Sequence, residues 1–315
     1  MDVPANIPLE NAPCDLCGSA RSDFLFSKSG LNGVRCSNCG LVYINPRPTG
    51  EYLKNTVYGE GYFNADKGYG IEDLLGKGRE EAARRSESLF KEIEMKTKPG
   101  AVLDIGCAAG FFLETASRRG WEPHGVEISD YAAKHAREKL SLDVVTGDFI
   151  TLDLPREKFN LVLMMDVIEH LSSPKKGLLK ANAALESGGL LVIETPNYES
   201  APSKTLGVEW GLISPEHHLY YFTPATIKRA LEETGFDIVS MAFPRWGLAD
   251  LLFSAGSLRK AGLPIGDKEK KFVRNRLRGP RDAIRSIANV IDRGLLARLF
   301  GDKQGVTIRV IAKKT

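Results

Sequence analysis

Short apolar runs alternate with helical segments between residues 100 and 200, and this alternation leaves few folds open to the chain. Expected strands cover 101–105, 124–128, 143–146, 159–166 and 190–194, and expected helices cover 111–119, 130–140 and 174–185. Continuously apolar strands are typical of sheets buried on both faces, and parallel strands need crossover helices between them. The pattern predicts a Rossmann-like, doubly wound α/β sheet. Later strands at 236–243 and 306–312 extend it to seven.

Four of the five cysteines form two closely similar motifs near the start of the chain. Cys14 and Cys17 make one C-x2-C pair, Cys36 and Cys39 make the other, and a glycine follows each pair. Two such turns supply four thiolates, which is the ligand set of tetrahedral structural zinc. We therefore predict a zinc ribbon in which all four sulfurs bind one ion, with a redox pair or chance spacing as the alternative.

Composition divides the chain into four expected units. A zinc-ribbon module covers 1–50, a helical connector or lid covers 51–98, the main domain covers 99–245 with 304–315, and a basic helical insertion covers 246–303. Within the insertion, residues 256–303 hold 13 lysines and arginines against five aspartates and glutamates. This segment is a candidate for contact with a membrane surface, for a lid or for a dimer contact.

The net charge and the absence of signal-peptide features indicate which partners and which compartment to expect. The formal net charge of +3 gives no global case for nucleic acid as a partner. The first residues carry neither a basic n-region nor an apolar h-region, and no stretch reaches 18 apolar residues. From these features we expect a cytoplasmic protein.

A glycine turn, Asp104-Ile105-Gly106-Cys107-Ala108-Ala109-Gly110, joins the first main-domain strand to the first helix. Open α/β sheets bind ligands at this crevice. The turn lacks the middle glycine of a dinucleotide fingerprint and the lysine of a P-loop. We therefore do not expect a ligand that presents a pyrophosphate.

The segment DIGCAAGFFL resembles the first motif of the class I S-adenosylmethionine-dependent methyltransferases, and the likeness covers roughly residues 98–243 plus the last strand. In that family the position of Glu127 hydrogen-bonds the ribose hydroxyls. Asp104 either contacts the cofactor or supports the turn, and Cys107 has the apolar setting of a packing residue. The resemblance implies S-adenosylmethionine contacts at Asp104, Gly106, Cys107, Gly110, Glu127, Ile128, Asp148, Phe149 and Asp166.

Histidines are the candidate catalytic residues, because methylation of oxygen or carbon requires removal of a proton. His170 lies in a segment similar to the D/E-x-x-E-H motif of quinone and small-molecule O-methyltransferases. By that resemblance, Asp166, Glu169 and His170 are candidate ligands of a divalent metal.

A second histidine segment resembles the E-H-x-x-Y-F motif of zinc-containing sugar methyltransferases. His218 then occupies the position of the histidine that is the proposed base, and His217 replaces the glutamate of the family. Tyr58 and Tyr62 are candidates for the mouth of the site.

The first expectation is S-adenosylmethionine-dependent methyl transfer to a hydroxyl or carbon of a small molecule, a sugar or nucleotide-sugar. The alternative acceptor is a quinone or lipid-like phenol. A different class is a zinc-ribbon module that binds RNA or protein. Residues 1–50 hold equal numbers of basic and acidic residues, and the tetrapeptide used to methylate exocyclic base amines is missing, so nucleic acid is the less favoured partner. The sequence does not indicate the oligomeric state.

Overall fold

The computed structural model of the chain describes residues 7–58, 77–244 and 305–315. Its strands are β1 (Leu9–Glu10), β2 (Ser22–Lys28), β3 (Leu31–Cys36), β4 (Val42–Ile44), β5 (Arg47–Pro48), β6 (Ala101–Ile105), β7 (Glu122–Glu127), β8 (Asp143–Thr146), β9 (Phe159–Met165), β10 (Leu185–Pro196), β11 (Tyr220–Tyr221), β12 (Phe236–Ala242) and β13 (Thr307–Lys314). Its helices are α1 (Lys77–Glu94), α2 (Phe111–Arg118), α3 (Asp130–Leu140), α4 (Pro174–Ala184), α5 (Ala201–Leu206) and α6 (Pro224–Glu232). Single helical turns cover Gly50–Tyr52, Leu53–Val57, Ile168–His170 and Gly207–Glu209.

Seven of the described strands form one sheet in the order β12-β13-β10-β9-β6-β7-β8. Strands β10, β9, β6, β7 and β8 run parallel, whereas β13 is antiparallel to both of its neighbours. The chain starts in the middle of this sheet at β6, runs to one edge, and then returns to build the other half from β9. The predicted doubly wound sheet is confirmed, and its switch point lies between β6 and β9.

Both faces of the central strands are covered by helices. On β6, Val102 packs in one apolar cluster with Leu89 and Phe90 of α1. The next residue, Leu103, packs in the cluster of the opposite face, which contains Leu178 of α4. Because successive side chains point to opposite faces, a strand covered on both sides must be apolar throughout.

The structure corrects the predicted connection between α4 and the strand after it. The sequence predicted that α4 would end in a turn at 187–189, but the helix ends at Ala184 and β10 begins at the next residue, Leu185. The glycines at 188 and 189 lie inside β10, where the pairing with β9 shifts register between Leu185 and Leu190. The two glycines are therefore part of a strand irregularity rather than of a loop.

The N-terminal module forms a four-stranded antiparallel sheet in the order β11-β4-β3-β2. Its edge strand β11 comes from far along the chain, from a segment that the sequence predicted as a loop. Tyr220 pairs with Tyr43, and Tyr221 pairs with Val42. A segment that follows the fifth strand of the large sheet thus completes the sheet of the N-terminal module.

Asp15, between the first two cysteines, attaches the module to the large domain a second time. Its carboxylate accepts hydrogen bonds from the Ser173 hydroxyl at 2.5 Å and from the backbone N–H of Lys175 at 2.7 Å. Lys175 Nζ donates in return to the carbonyl of Leu16 at 3.0 Å. A carboxylate at the first turn of α4 is also favoured by the helix dipole.

Several expectations fall outside the described residues. These are the basic insertion at 246–303 and the connector residues 59–76, which include Tyr62. None of the described helices is long and apolar enough to cross a membrane.

A buried carboxylate joins α1, β10 and β13. Glu194 of β10 is fully buried and contacts Arg85 of α1 at 3.0 Å and Arg309 of β13 at 2.8 Å. The Thr307 hydroxyl also donates to it, at 3.2 Å. Two cations and a hydroxyl thus offset the cost of burying one negative charge.

We expect Glu194→Gln to lower the free energy of unfolding by about 3 kcal/mol, because it keeps the shape but removes the charge between two arginines. Guanidinium denaturation of both proteins measures this. The matched control is Glu233→Gln, which removes a more exposed carboxylate from Arg229 at 2.7 Å and Lys175 at 3.1 Å. That change should cost less than about 1 kcal/mol, and equal effects of the two substitutions would contradict the assignment.

Candidate functional site

The glycine turn after β6 is held by the backbone of β7. Gly106 has a φ of +69°, and its N–H donates to the carbonyl of Val126 at 2.7 Å. Gly110 begins α2 with a φ of +86°, and a Cβ there would lie 2.6 Å from Leu142 Cδ1. Both conformation and packing space therefore require glycine at the second position.

Glu127, at the end of β7, holds the same turn in place through its side-chain carboxylate. One carboxylate oxygen accepts the backbone N–H of Ala108 at 2.8 Å, and the other accepts that of Ser129 at 2.8 Å. Burial raises the pKa of Glu127, and these two hydrogen bonds oppose the rise. The carboxylate thus links the turns that follow β6 and β7.

A cavity of about 250 Å³ lies along the carboxyl ends of the parallel strands. Of the residues predicted from the sequence, its lining contains Gly106, Glu127, Ile128, Asp148, Phe149, Asp166, His170 and Tyr58. Its lining also includes residues that the sequence analysis did not single out, namely Gly50, Leu53, Ala108, Val126, Gly147, Met165, Val167, Leu171 and Ser172. Most of the second group are apolar side chains or glycines, which carry no distinctive signal in a single sequence.

Three predicted cofactor residues, Asp104, Cys107 and Gly110, are not in the described lining of this cavity. Asp104 is buried behind the turn, and burial, followed by the charge of Glu127, raises its pKa to about 8. Cys107 packs in an apolar cluster with Leu113 of α2. All three residues lie in or next to the turn but outside the described cavity lining. Their direct contact with the cofactor stays a prediction.

Asp166 connects the cavity to the buried ion pairs. It has a φ of +58°, and its N–H donates to the carbonyl of Glu194 at 2.8 Å. Its carboxylate accepts a hydrogen bond from Arg85 at 2.9 Å. The side chain is therefore engaged by α1 at the edge of the cavity.

The three predicted catalytic histidines come together beside the end of β9. The rings of His170 and His217 stack with centroids 5.5 Å apart, and the ring of His218 lies 4.7 Å from each of them. The Tyr58 hydroxyl is 3.0 Å from His170 Nδ1. His170 lies in the cavity lining, whereas His217 and His218 lie beyond its described walls.

Burial keeps these imidazoles neutral. It lowers the pKa of His217 to about 4 and that of His218 to about 3. Burial, reinforced by the neighbouring His218 and His217, holds the pKa of His170 well below its usual value. At neutral pH each ring therefore carries one proton and one nitrogen lone pair.

The predicted metal triad of Asp166, Glu169 and His170 is not the group that the structure assembles. Ligand atoms of Glu169, His170 and His218 lie within 4.8 Å of one another, and Asp166 is not in that group of described residues. The carboxylate of Asp166 instead contacts Arg85 at 2.9 Å.

The four cysteines of the N-terminal module form one compact cluster. The sulfurs of Cys14 and Cys39 are 3.4 Å apart, those of Cys17 and Cys36 are 3.5 Å apart, and all four lie within 4.8 Å of one another. Tetrahedral zinc with Zn–S bonds of about 2.3 Å places its sulfurs about 3.8 Å apart. The cluster therefore fits one zinc ion.

Both cysteine turns have the same backbone geometry. Gly18 N–H donates to the carbonyl of Cys14 at 2.8 Å, and Gly40 N–H donates to that of Cys36 at 2.9 Å. Both glycines have positive φ values, +71° and +78°. The fifth cysteine, Cys107, lies in the large domain, so its sulfur is not part of the cluster.

The methyltransferase domain family matches residues 75–241, which is just over half of the chain. The chain belongs to this methyltransferase family. The matched region contains six of the seven strands of the large sheet, all but β13, and the part of the cavity lining that follows β6 to β9. Membership favours the enzyme interpretation over that of a zinc-ribbon binding module.

Curated relatives and a solved structure are similar to parts of the methyltransferase. The ubiquinone biosynthesis O-methyltransferase of Bradyrhizobium sp. (strain ORS 278) is 37% identical over 118 residues, which cover 35% of this chain and 46% of that protein. That of Coxiella burnetii (strain RSA 331 / Henzerling II) is 24% identical over 168 residues, 50% of this chain and 71% of that protein. The chain thus spans less than half of the Bradyrhizobium relative. A SAM-dependent methyltransferase structure from Archaeoglobus fulgidus shares the fold, with a TM-score of 0.50, 22% identity, and coverage of 74% of this chain and 94% of that one.

The cysteine cluster gives a prediction with a built-in control. We expect Co²⁺ to bind the methyltransferase with the strong absorption of thiolate-to-cobalt charge transfer, and Cys36→Ser to weaken this absorption because only three sulfurs remain. Cys107→Ala removes a cysteine from the large domain and should leave the absorption unchanged. If both substitutions reduced it equally, the four-sulfur site would be refuted.

Proposed function

We propose that this methyltransferase moves a methyl group from S-adenosylmethionine to a hydroxyl oxygen of a small organic acceptor. The observation that carries the proposal is the carboxylate of Glu127 at the wall of the cavity, beside the glycine turn of β6. A carboxylate offers acceptor sites for both hydroxyls of a ribose. Ile128 and Phe149 supply apolar surface for an adenine ring in the same cavity.

The acceptor end of the cavity is assigned to the side of His170. Methyl transfer to a hydroxyl is an in-line displacement in which the oxygen attacks the sulfonium methyl and loses its proton. The neutral imidazole of His170, at this end of the cavity, offers a hydrogen-bond acceptor for that hydroxyl. Tyr58, which contacts His170, borders the same end of the cavity.

A phenolic hydroxyl is the first candidate acceptor. The relatives from Bradyrhizobium and Coxiella are named for ubiquinone biosynthesis. Leu53, Met165 and Leu171 give the cavity apolar walls that suit a ring. A sugar hydroxyl is the second candidate, and it is favoured by the position of His218 in a segment similar to that of zinc-containing sugar methyltransferases.

We infer that the cysteine cluster holds a structural zinc ion. Four thiolates fill a tetrahedral ion and leave no position for a substrate. The zinc would stabilise a module whose strands are short, and the module in turn packs against the large domain.

Calorimetric titration with S-adenosylhomocysteine tests the cofactor. We expect micromolar binding to the wild-type protein, no binding of NAD, and affinity at least ~10-fold weaker in Glu127→Ala because a charged hydrogen-bond acceptor is lost. The matched control is Glu122→Ala, at the exposed start of the same strand, which should bind as the wild type does. Folded protein that failed to bind S-adenosylhomocysteine would overturn the proposal.

Turnover with labelled S-adenosylmethionine tests the acceptor. Quinol-type phenols and nucleotide-sugars are compared as substrates, and we expect His170→Ala to reduce turnover by about 100-fold or more while S-adenosylhomocysteine still binds. His124→Ala removes a histidine that contacts Glu122 and Asp143 rather than the cavity, and it should retain turnover. Equal turnover by the two variants would remove His170 from the acceptor end.

A further inference from the structure

One side-chain group at the acceptor end is not explained by cofactor binding. Ligand atoms of Glu169, His170 and His218 lie within 4.8 Å of one another, and all three side chains are wholly or largely buried. We propose that these three residues bind a divalent transition-metal ion such as Zn²⁺, at a site separate from the cysteine cluster. This proposal does not depend on the proposed methyl transfer, because metal binding can be measured in the absence of an acceptor substrate.

Both histidines make the kind of hydrogen bond that metal-ligating histidines usually make. His170 Nδ1–H donates to the carbonyl of His217 at 2.9 Å, and His218 Nδ1–H donates to the carbonyl of Leu212 at 2.8 Å. A carbonyl only accepts hydrogen bonds, so Nδ1 holds the proton and Nε2 holds the lone pair. Ligating histidines in proteins are fixed in this way, with the other ring nitrogen donating to a carbonyl or carboxylate.

The carboxylate of Glu169 is also held in place. The hydroxyl of the fully buried Thr195 donates to Oε2 of Glu169 at 2.9 Å. The backbone carbonyl of Glu169 accepts the N–H of Leu219, the neighbour of His218, at 2.9 Å. Both the carboxylate and the segment that carries His218 are thus fixed to the same short region.

The spacing and the chemistry of the ligands favour a transition metal. Ligands at about 2.1 Å from a tetrahedral ion lie roughly 3.4 Å apart, so ligand atoms within 4.8 Å of one another would have to approach by up to about 1.4 Å to close the set. Two imidazoles and one carboxylate suit zinc, iron or cobalt better than magnesium or calcium. Three protein ligands leave an open position, where a bound ion lowers the pKa of a coordinated hydroxyl.

This set differs from the triad that the sequence suggested. Asp166 is engaged by Arg85, and His218 takes its place from the segment that pairs with the N-terminal module. The identity of the third ligand therefore decides between the two assignments.

Metal analysis of zinc-loaded, desalted protein tests the proposal. We expect two zinc ions per wild-type chain, one in His218→Gln and in Glu169→Gln, and two in Asp166→Asn. Circular dichroism checks that each variant is folded. One ion in the wild type overturns the proposal, as does loss of the second ion in Asp166→Asn with its retention in His218→Gln.

A measurement on the wild type covers the case in which a variant does not fold. With zinc in the cysteine cluster and Co²⁺ added as the second equivalent, we expect bands without thiolate charge transfer. Proton NMR of this protein should show two exchangeable, paramagnetically shifted resonances from the Nδ1–H groups of His170 and His218. Charge-transfer bands from the second equivalent, or the absence of shifted imidazole protons, would refute the site.

Discussion

The backbone of Leu219 connects the four-stranded sheet of the N-terminal module to the helical turn that follows β9, where the histidines of the site lie. Its N–H donates to the carbonyl of Glu169 at 2.9 Å, and its carbonyl accepts the N–H of Ile44, in β4, at 2.9 Å. His218 precedes it and β11 follows it, so both are fixed by the same two hydrogen bonds. The same residue is thus bonded both to the turn after β9 and to the sheet of the N-terminal module. A zinc ion that stabilised this module would therefore also act on the site, through this backbone pairing.

Asp104 and Glu127, two buried carboxyl groups beside the glycine turn, differ in which protonation state their surroundings favour. Asp104, with its pKa raised to about 8, is mostly protonated at neutral pH. Glu127 receives two backbone N–H groups, which favour its charged form. Because like charges repel, protonation of Asp104 favours the charged form of Glu127. An anion at that wall is what recognition of two hydroxyl donors requires.

Local patterns in the sequence were sufficient for most of the fold. The large sheet could be predicted because its strands are buried on both faces, which makes each of them a continuous apolar run. The cysteine turns could be predicted because their spacing and glycines are fixed by one short motif. The predicted cofactor positions Gly106 and Glu127 lie in the cavity because turns after parallel strands meet at one edge of a sheet.

The structure differs from the expectations from the sequence mainly where residues far apart in the chain pair with each other, because a single sequence does not show such pairing. Strand β11 has only two residues, too few to show a period, and it pairs with β4 across more than half of the chain. The contact between Arg85 and Asp166 joins residues 81 positions apart, and no local sequence pattern predicts it. For the same reason the sequence grouped Glu169 and His170 with their neighbour Asp166 rather than with the distant His218.

The charge balance of methyl transfer connects the burial of the histidines to the chemistry. The sulfonium loses its positive charge as the methyl group leaves, and the acceptor hydroxyl releases a proton. Burial disfavours the protonated form of all three histidines, so storing that proton on an imidazole is costly here. A divalent ion held by Glu169, His170 and His218 would instead lower the pKa of a coordinated acceptor hydroxyl, so that its proton could pass to solvent. The burial that weakens His170 and His218 as bases thus preserves them in the form that binds a metal.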